Sequence, residues 1–167
     1  MTDVITTQRL VLRRPVPGDA AVLARVINDL DVSRWLTRVP FPYGQSDAEA
    51  YIDRQMQGGG NAFFIFCGES LAGCVGTERE LGYWVGRSFW GKGFATEAAA
   101  AAATRHFSMG AELLHSGHFV ENTASRNVLN KLGFVPDAMT KATSPATGEE
   151  HALQKMLLTR DRWEALQ

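Results

Sequence analysis

The stretch that most constrains this chain runs from Gly82 to Ala98, GYWVGRSFWGKGFATEA, where a strand-like segment passes through a glycine-rich turn directly into six consecutive alanines, Ala98 to Ala103. Alanine has the best helix propensity and a side chain small enough for close packing, so Phe94 to Phe107 is predicted as a buried helix lying on a sheet. The first four amides of a helix have no internal partner, and the helix dipole adds positive potential there. Gly91, Gly93 and Ala95 let an anion approach those amides without side-chain collisions, and Lys92 adds charge beside them. The segment therefore predicts a phosphate or pyrophosphate site, with a loop that is glycine-rich only for tight turning as the plain alternative. Gly86 to Lys92 fits seven positions of a P-loop, but the eighth, which must be Ser or Thr to hold magnesium, is Gly93. A dinucleotide fingerprint fails as well, because Thr96 stands three residues after Gly93 where Gly or Ala is required.

The rest of the chain predicts what surrounds this turn. Arg9 to Arg14 alternates polar and apolar residues as a half-buried strand does, and Pro15, Pro17 and Gly18 end it. Asp19 is placed to cap a helix whose Val22, Leu23, Val26, Ile27 and Leu30 recur at helical spacing. Trp35, Leu36, Phe41 and Tyr43, spread among Pro40, Pro42 and Gly44, read as a wall, either of a pocket or of the core. Ser46 with Glu49 three residues later is a capping-box pattern for a helix over Asp47 to Met56. Asn61 to Cys67, Leu71 to Thr77 and Glu80 to Val85 predict an antiparallel meander. Leu114 to Val120 reads as a strand, Thr123 to Leu132 as a helix closed by Gly133, and Phe134 onward and Ala152 to Thr159 as further strands. This order predicts an α+β fold with a mixed, mostly antiparallel sheet and about four flanking helices.

Composition narrows the function classes. A length of 167 residues predicts one domain, residues 1–167, with a single core. The formal net charge of -1 gives no basic field for nucleic acid, and no apolar run approaches the roughly 18 residues that span a bilayer. No basic-plus-apolar leader precedes Thr7, so a cytoplasmic location is expected, with Cys67 and Cys74 both reduced. The four histidines and two cysteines lack a metal-ligand spacing, so no metal is expected.

The second chemical constellation is Asn122 to Phe134, NTASRNVLNKLGF, in which Val128, Leu129 and Leu132 form a buried stripe. Ser125 lies four residues before Leu129 and seven before Leu132, so it points inward with them. Spacing alone serves a cap and a chemical role equally.

Together these stretches resemble the GNAT superfamily of acyl-CoA-dependent N-acetyltransferases, and within it the Rim-type branch that acetylates ribosomal-protein N-termini. Thr7 to Arg13 (TQRLVLR) is similar to that branch's opening strand, Trp90 to Ala98 (WGKGFATEA) to its pyrophosphate loop, and Asn122-x-x-Ser125 through Gly133-Phe134 to its second motif. Gly93 and Ala95 match the superfamily's loop pattern, while Trp90 occupies its Arg/Gln place. The resemblance implies a GNAT-like fold holding acetyl-CoA through Val85, Arg87, Gly91, Lys92, Gly93, Phe94, Ala95, Thr96 and Asn122. It implies an amide near Val85 as oxyanion donor, a pantetheine arm paired with Tyr83 to Val85, and Ser125 beside the thiol. Many members use a tyrosine four residues before the Gly-Phe pair, and here that place is Leu129.

Two residues compete as the base. Glu80 shares a strand face with Gly82 and Trp84 by period-two counting. His118 shares one with Ser116 and Val120, and an ordinary imidazole titrates near neutrality. Glu97 fits a helix N-terminus better than chemistry. The expected acceptor is a small-molecule amine or a peptide N-terminus, bound against Trp35, Phe41, Tyr43 and Trp84, with neither nucleic acid nor membrane as partner and a monomer or homodimer as the assembly. A catalytically idle acyl-CoA sensor and, behind it, a nucleotide-binding module are the rival functions.

Overall fold

The computed structural model describes residues 3–167. A five-stranded antiparallel sheet in the order β1-β2-β3-β4-β5 is formed by Val4–Thr6, Val11–Arg13, Ala62–Cys67, Ser70–Gly76 and Gly82–Val85. A three-stranded antiparallel sheet in the order β6-β8-β7 is formed by Leu113–Phe119, Glu150–Thr159 and Val135–Thr143. Helices α1 (Ala20–Ile27), α2 (Leu30–Ser33) and α3 (Gln45–Gln57) lie between β2 and β3. α4 (Phe94–Ser108) joins β5 to β6, α5 (Thr123–Leu132) joins β6 to β7, and α6 (Arg160–Ala165) follows β8. The α+β architecture thus agrees with the sequence reading, its four longer helices being α1, α3, α4 and α5.

The apolar residues divide by strand parity. Phe63 and Ile65 of β3 face one cluster with Leu12, Val75 and the α4 residues Ala98, Ala99, Ala102 and Ala103, whereas Phe64 faces a second with Leu23 and Ile27 of α1 and Ile52 of α3. The sheet therefore separates two clusters where the length of the chain suggested a single core. The four buried alanines recur on one face of α4, so no long side chain holds that helix away from the strands.

Several local expectations are corrected. Asp19 is not a side-chain cap of α1: its carboxylate accepts from Arg13 at 2.8 Å and from the Val16 amide at 2.9 Å, closing the turn before the helix. α3 begins at Gln45, ahead of the Ser46–Glu49 box, because Asp47 reaches back to the Gly44 amide at 2.8 Å. Residues 4–6 form a strand paired with β2 that the alternation did not extend to, and α6 was not anticipated. The meander, α4 and α5 stand where the sequence put them, except that β5 begins at Gly82 rather than at Glu80, and Gly133 closes α5 at φ 94°, the left-handed conformation a C-terminal glycine supplies. Cys67 and Cys74 are both free thiols. No helix of the described residues is long and apolar enough to cross a membrane.

The site is made by a split. β5 and β6 begin side by side, where the Leu81 amide donates to the His115 carbonyl at 2.7 Å and Ser116 Oγ donates to the Leu81 carbonyl at 2.8 Å. Among the described residues no further backbone bond joins them, so the strands diverge toward their C-terminal ends. β5 leads there into the glycine turn and α4, and β6 leads into Asn122 and α5.

Candidate active site

The diverging strands bound a cavity of about 620 Å3 lined by Glu80 to Val85, Phe89 to Gly91, Gly93 to Thr96, Gly117 to Phe119, Glu121 to Ser125, and by Trp35 and Leu36 from the far side. Backbone geometry equips one wall. The Gly86 amide donates to the Ala72 carbonyl at 2.8 Å, and antiparallel bonding alternates residue by residue, so Trp84 and Gly82 also bond toward β4. The amides of Tyr83 and Val85 consequently face the cleft. The Val85 carbonyl, on the same edge, accepts from the Trp90 indole Nε1 at 2.7 Å. Trp90 thereby pins the start of the glycine turn to β5, a role its place in the loop pattern did not reveal.

At the mouth of the cleft, Gly91 and Gly93 sit at φ 72° and 78°, the left-handed region that side chains other than glycine's disfavour. No side chain caps α4, so its opening amides remain available to an anion. The turn is braced from outside. Glu97 accepts from Thr7 Oγ1 at 2.6 Å, from the Arg9 amide at 2.8 Å and from Arg9 Nε at 2.8 Å, while Arg9 Nη1 donates to the Lys92 carbonyl at 2.7 Å. Burial alone would raise the Glu97 carboxyl, but these hydrogen bonds and the Arg9 charge hold it below the ordinary range. Glu97 is therefore a brace between the N-terminal hairpin and the turn.

On the opposite wall, Asn122 is the cap of α5, its Oδ1 accepting from the Ser125 amide at 3.2 Å. That frees the Ser125 hydroxyl from capping, and it lies 2.8 Å from the hydroxyl of Tyr83. The sequence reading passed over Tyr83 as a side chain, because a contact between residues so far apart leaves no trace in spacing. Leu129, four residues before the Gly133-Phe134 pair, is fully buried in the core.

The two candidate bases stand on different sides. His118 shares the face of β6 that carries core residue Leu114, the side on which α4 and α5 pack. Its Nδ1 lies 2.9 Å from the Phe119 carbonyl, which only accepts, so in the neutral ring Nδ1 carries the proton and Nε2 is the acceptor. Glu80 lies outside β5, so period-two counting does not apply to it, and its Oε2 accepts from Lys155 Nζ at 2.6 Å. Lys155 alternates with the core residues Met156 and Leu158, which places this ion pair on the opposite side of β8 from the core.

Four expected site residues do not line the cavity. Arg87 turns away to pair with Asp29, at 2.7 and 2.8 Å, and with Asp31. Lys92 Nζ lies 5.5 Å from the centre of the Phe89 ring. Tyr43 is buried in the second cluster beside Ala48 and Ile52, its amide donating to Asn28 Oδ1. Phe41 is exposed on the surface, which leaves Trp35 and Trp84 as the aromatic wall. Among the described residues no group of three or more His, Cys, Asp or Glu is arranged to hold a metal ion.

Comparison with known proteins agrees with this geometry. The family described as "Acetyltransferase (GNAT) domain" matches residues 9–135. The chain is 30% identical over 161 residues to the uncharacterised N-acetyltransferase p20 of Bacillus licheniformis, an alignment covering 87% of this chain and 90% of that protein. In structure it is similar to a GNAT-family acetyltransferase from Bacillus anthracis, with TM-score 0.83 at 21% identity over 95% of this chain and 99% of that one. It is similar as well to RimL, a ribosomal L7/L12 alpha-N-protein acetyltransferase solved with coenzyme A, with TM-score 0.82 at 20% identity over 96% and 99% of the two chains. With the split sheet, the glycine turn and the family match in agreement, this chain belongs to the GNAT acetyltransferases.

Proposed function

We propose that this enzyme transfers the acetyl group of acetyl-CoA to a primary amine, of a peptide N-terminus or a small molecule, by direct attack of the amine on the thioester. One observation carries the reading: the β5–β6 split opens onto both the uncapped start of α4 and the hydroxyl of Ser125, which caps no helix. Acetyl-CoA supplies an activated acyl group and a thiol that departs. The amides from Gly91 to Thr96 hold its pyrophosphate, and the outward amides of Tyr83 and Val85 hold the pantetheine arm and the acyl carbonyl. Charge growing on that carbonyl oxygen meets a fixed N–H dipole, the arrangement that lowers acyl-transfer barriers most.

The amine must be neutral to attack. Glu80, on the side of the cleft away from Ser125, takes up its proton through water, with Lys155 fixing the carboxylate. Trp35 and Trp84 give the acceptor pocket an apolar wall. The RimL neighbour, named for a ribosomal-protein N-terminus, makes a peptide terminus the first acceptor to try. The reaction runs in the cytoplasm without a metal, its charge met by amides and side-chain hydrogen bonds. An idle acyl-CoA binder is the rival reading, favoured by the Lys155 ammonium on Glu80.

Thermal unfolding with acetyl-CoA beside magnesium-ATP tests the donor, since a ligand at 100 times its dissociation constant adds about 2.7 kcal/mol to the native state. Stabilisation by acetyl-CoA, with release of free thiol over a panel of amines and short peptides, is the expected result. Stabilisation without thiol release would favour the idle binder, and stabilisation by magnesium-ATP alone would overturn both.

A further inference from the structure

We propose that Tyr83 is the positioning residue of the leaving-group site: its phenol donates to the Ser125 hydroxyl and turns that hydroxyl's own hydrogen toward the sulfur of the departing coenzyme A. The inference rests on the acetyl-transfer reading and adds a residue to it.

Three observations carry it. Tyr83 lines the cavity with its ring packed against the main core, so its hydroxyl arrives from a braced position. That hydroxyl lies 2.8 Å from Ser125 Oγ and 3.3 Å from the Ser125 carbonyl, the shorter contact being the better formed. The first turn of α5 is capped by Asn122, so Ser125 has no backbone duty to compete with the pair.

Donor and acceptor follow from acidity. A phenol is a far stronger acid than an aliphatic alcohol, so in a 2.8 Å pair the phenol donates and the serine oxygen accepts. The serine hydrogen is then free to rotate into the cleft, and accepting a bond makes it a better donor. Burial pushes the Tyr83 phenol up to about 12. It stays protonated through the neutral range.

A phenol held so high does not give its proton outright to a thiolate whose parent thiol lies near 8.5. The pair therefore works by hydrogen bonding. As the carbon–sulfur bond breaks, its electron pair goes to sulfur and Ser125 stabilises the charge. The amine's proton goes to Glu80 through water, and the sulfur collects a proton from solvent afterwards.

Tyr83→Phe keeps the ring and removes the donor, and Ser125→Ala removes the relay while leaving the phenol. The thiol of bound coenzyme A is titrated by its ultraviolet thiolate absorbance, and kcat and KM are measured with the best amine of the panel. Both variants should form bound thiolate at higher pH than the wild type. Tyr83→Phe should lower kcat about tenfold with KM for acetyl-CoA unchanged, and the double variant should be no slower than Ser125→Ala. A bound thiol that titrates as in the wild type, an undiminished kcat, or losses that multiply would each overturn the proposal. Failure of the wild type to bind coenzyme A would overturn the acetyl-transfer reading itself, and that binding is measured first.

Discussion

Ser125 and Glu80 occupy opposite sides of one cleft, and their substitution should fail in different ways. On the proposed mechanism Ser125→Ala removes a hydrogen bond made to charge that exists only as the thiol departs, so kcat should fall by about tenfold with acetyl-CoA affinity unchanged, as seen by initial rates beside calorimetric binding. Glu80→Gln keeps the shape and removes the proposed proton acceptor, so its rate should recover as pH rises toward the amine's own deprotonation, while His118→Ala should keep the wild-type pH profile. How far such assignments could be read from the chain depended on distance in sequence. Ser125 was legible because Leu129 and Leu132 set its direction within one helix. Its partner Tyr83 and the Glu80–Lys155 ion pair were not, because each joins strands or helices that only the tertiary fold brings together. Arg87 misled for a related reason: a cation beside a glycine turn resembles an anion ligand until Asp29 and Asp31 claim it.

The glycine turn was the most legible element, since its function resides in backbone conformation that glycine spacing writes into the sequence. Its weak point is Gly93, at φ 78°, where an added Cβ would also stand 3.3 Å from Arg9 Nη2. Gly93→Ala should cost about 1–2 kcal/mol in chemical denaturation through left-handed strain. Gly93→Glu should in addition abolish acetyl-CoA stabilisation in thermal unfolding by placing a carboxylate at the proposed phosphate site, while remaining folded by circular dichroism. Glu97→Gln weakens the brace from outside and should raise the acetyl-CoA dissociation constant without touching the acceptor's KM. The two N-terminal strands show the limit of local reading. Arg9 to Arg14 carried an alternating pattern, but β1, only three residues long, is held by pairing with β2 rather than by a pattern of its own.

Across the whole fold, several carboxylates are held in their charged form by neighbours: Asp19 against its burial by Arg13 and the Val16 amide, Asp29 by hydrogen bonds from Arg87, and Glu97 by Thr7 and Arg9. Each lies below its ordinary value in the folded state, so its contribution is complete above about pH 4 and disappears as pH falls through the lower folded values. A melting series in acid should therefore show stability falling from about pH 4 downward, and a flat profile to pH 2 would contradict these pairings. The seam at Leu81 carries a consequence of another kind. The two sheets open like a book whose spine is the Leu81–His115 bond, with Ser116 stitched across it. A donor molecule lying between the pages would occupy the place of a missing strand. Solvent exchange should record this as alternation, the Tyr83 and Val85 amides slowing when acetyl-CoA is added while Trp84 and Gly86, already bonded to β4, stay as they were. On that account the substrate binds the book shut, and the protein would be most open after each product departs.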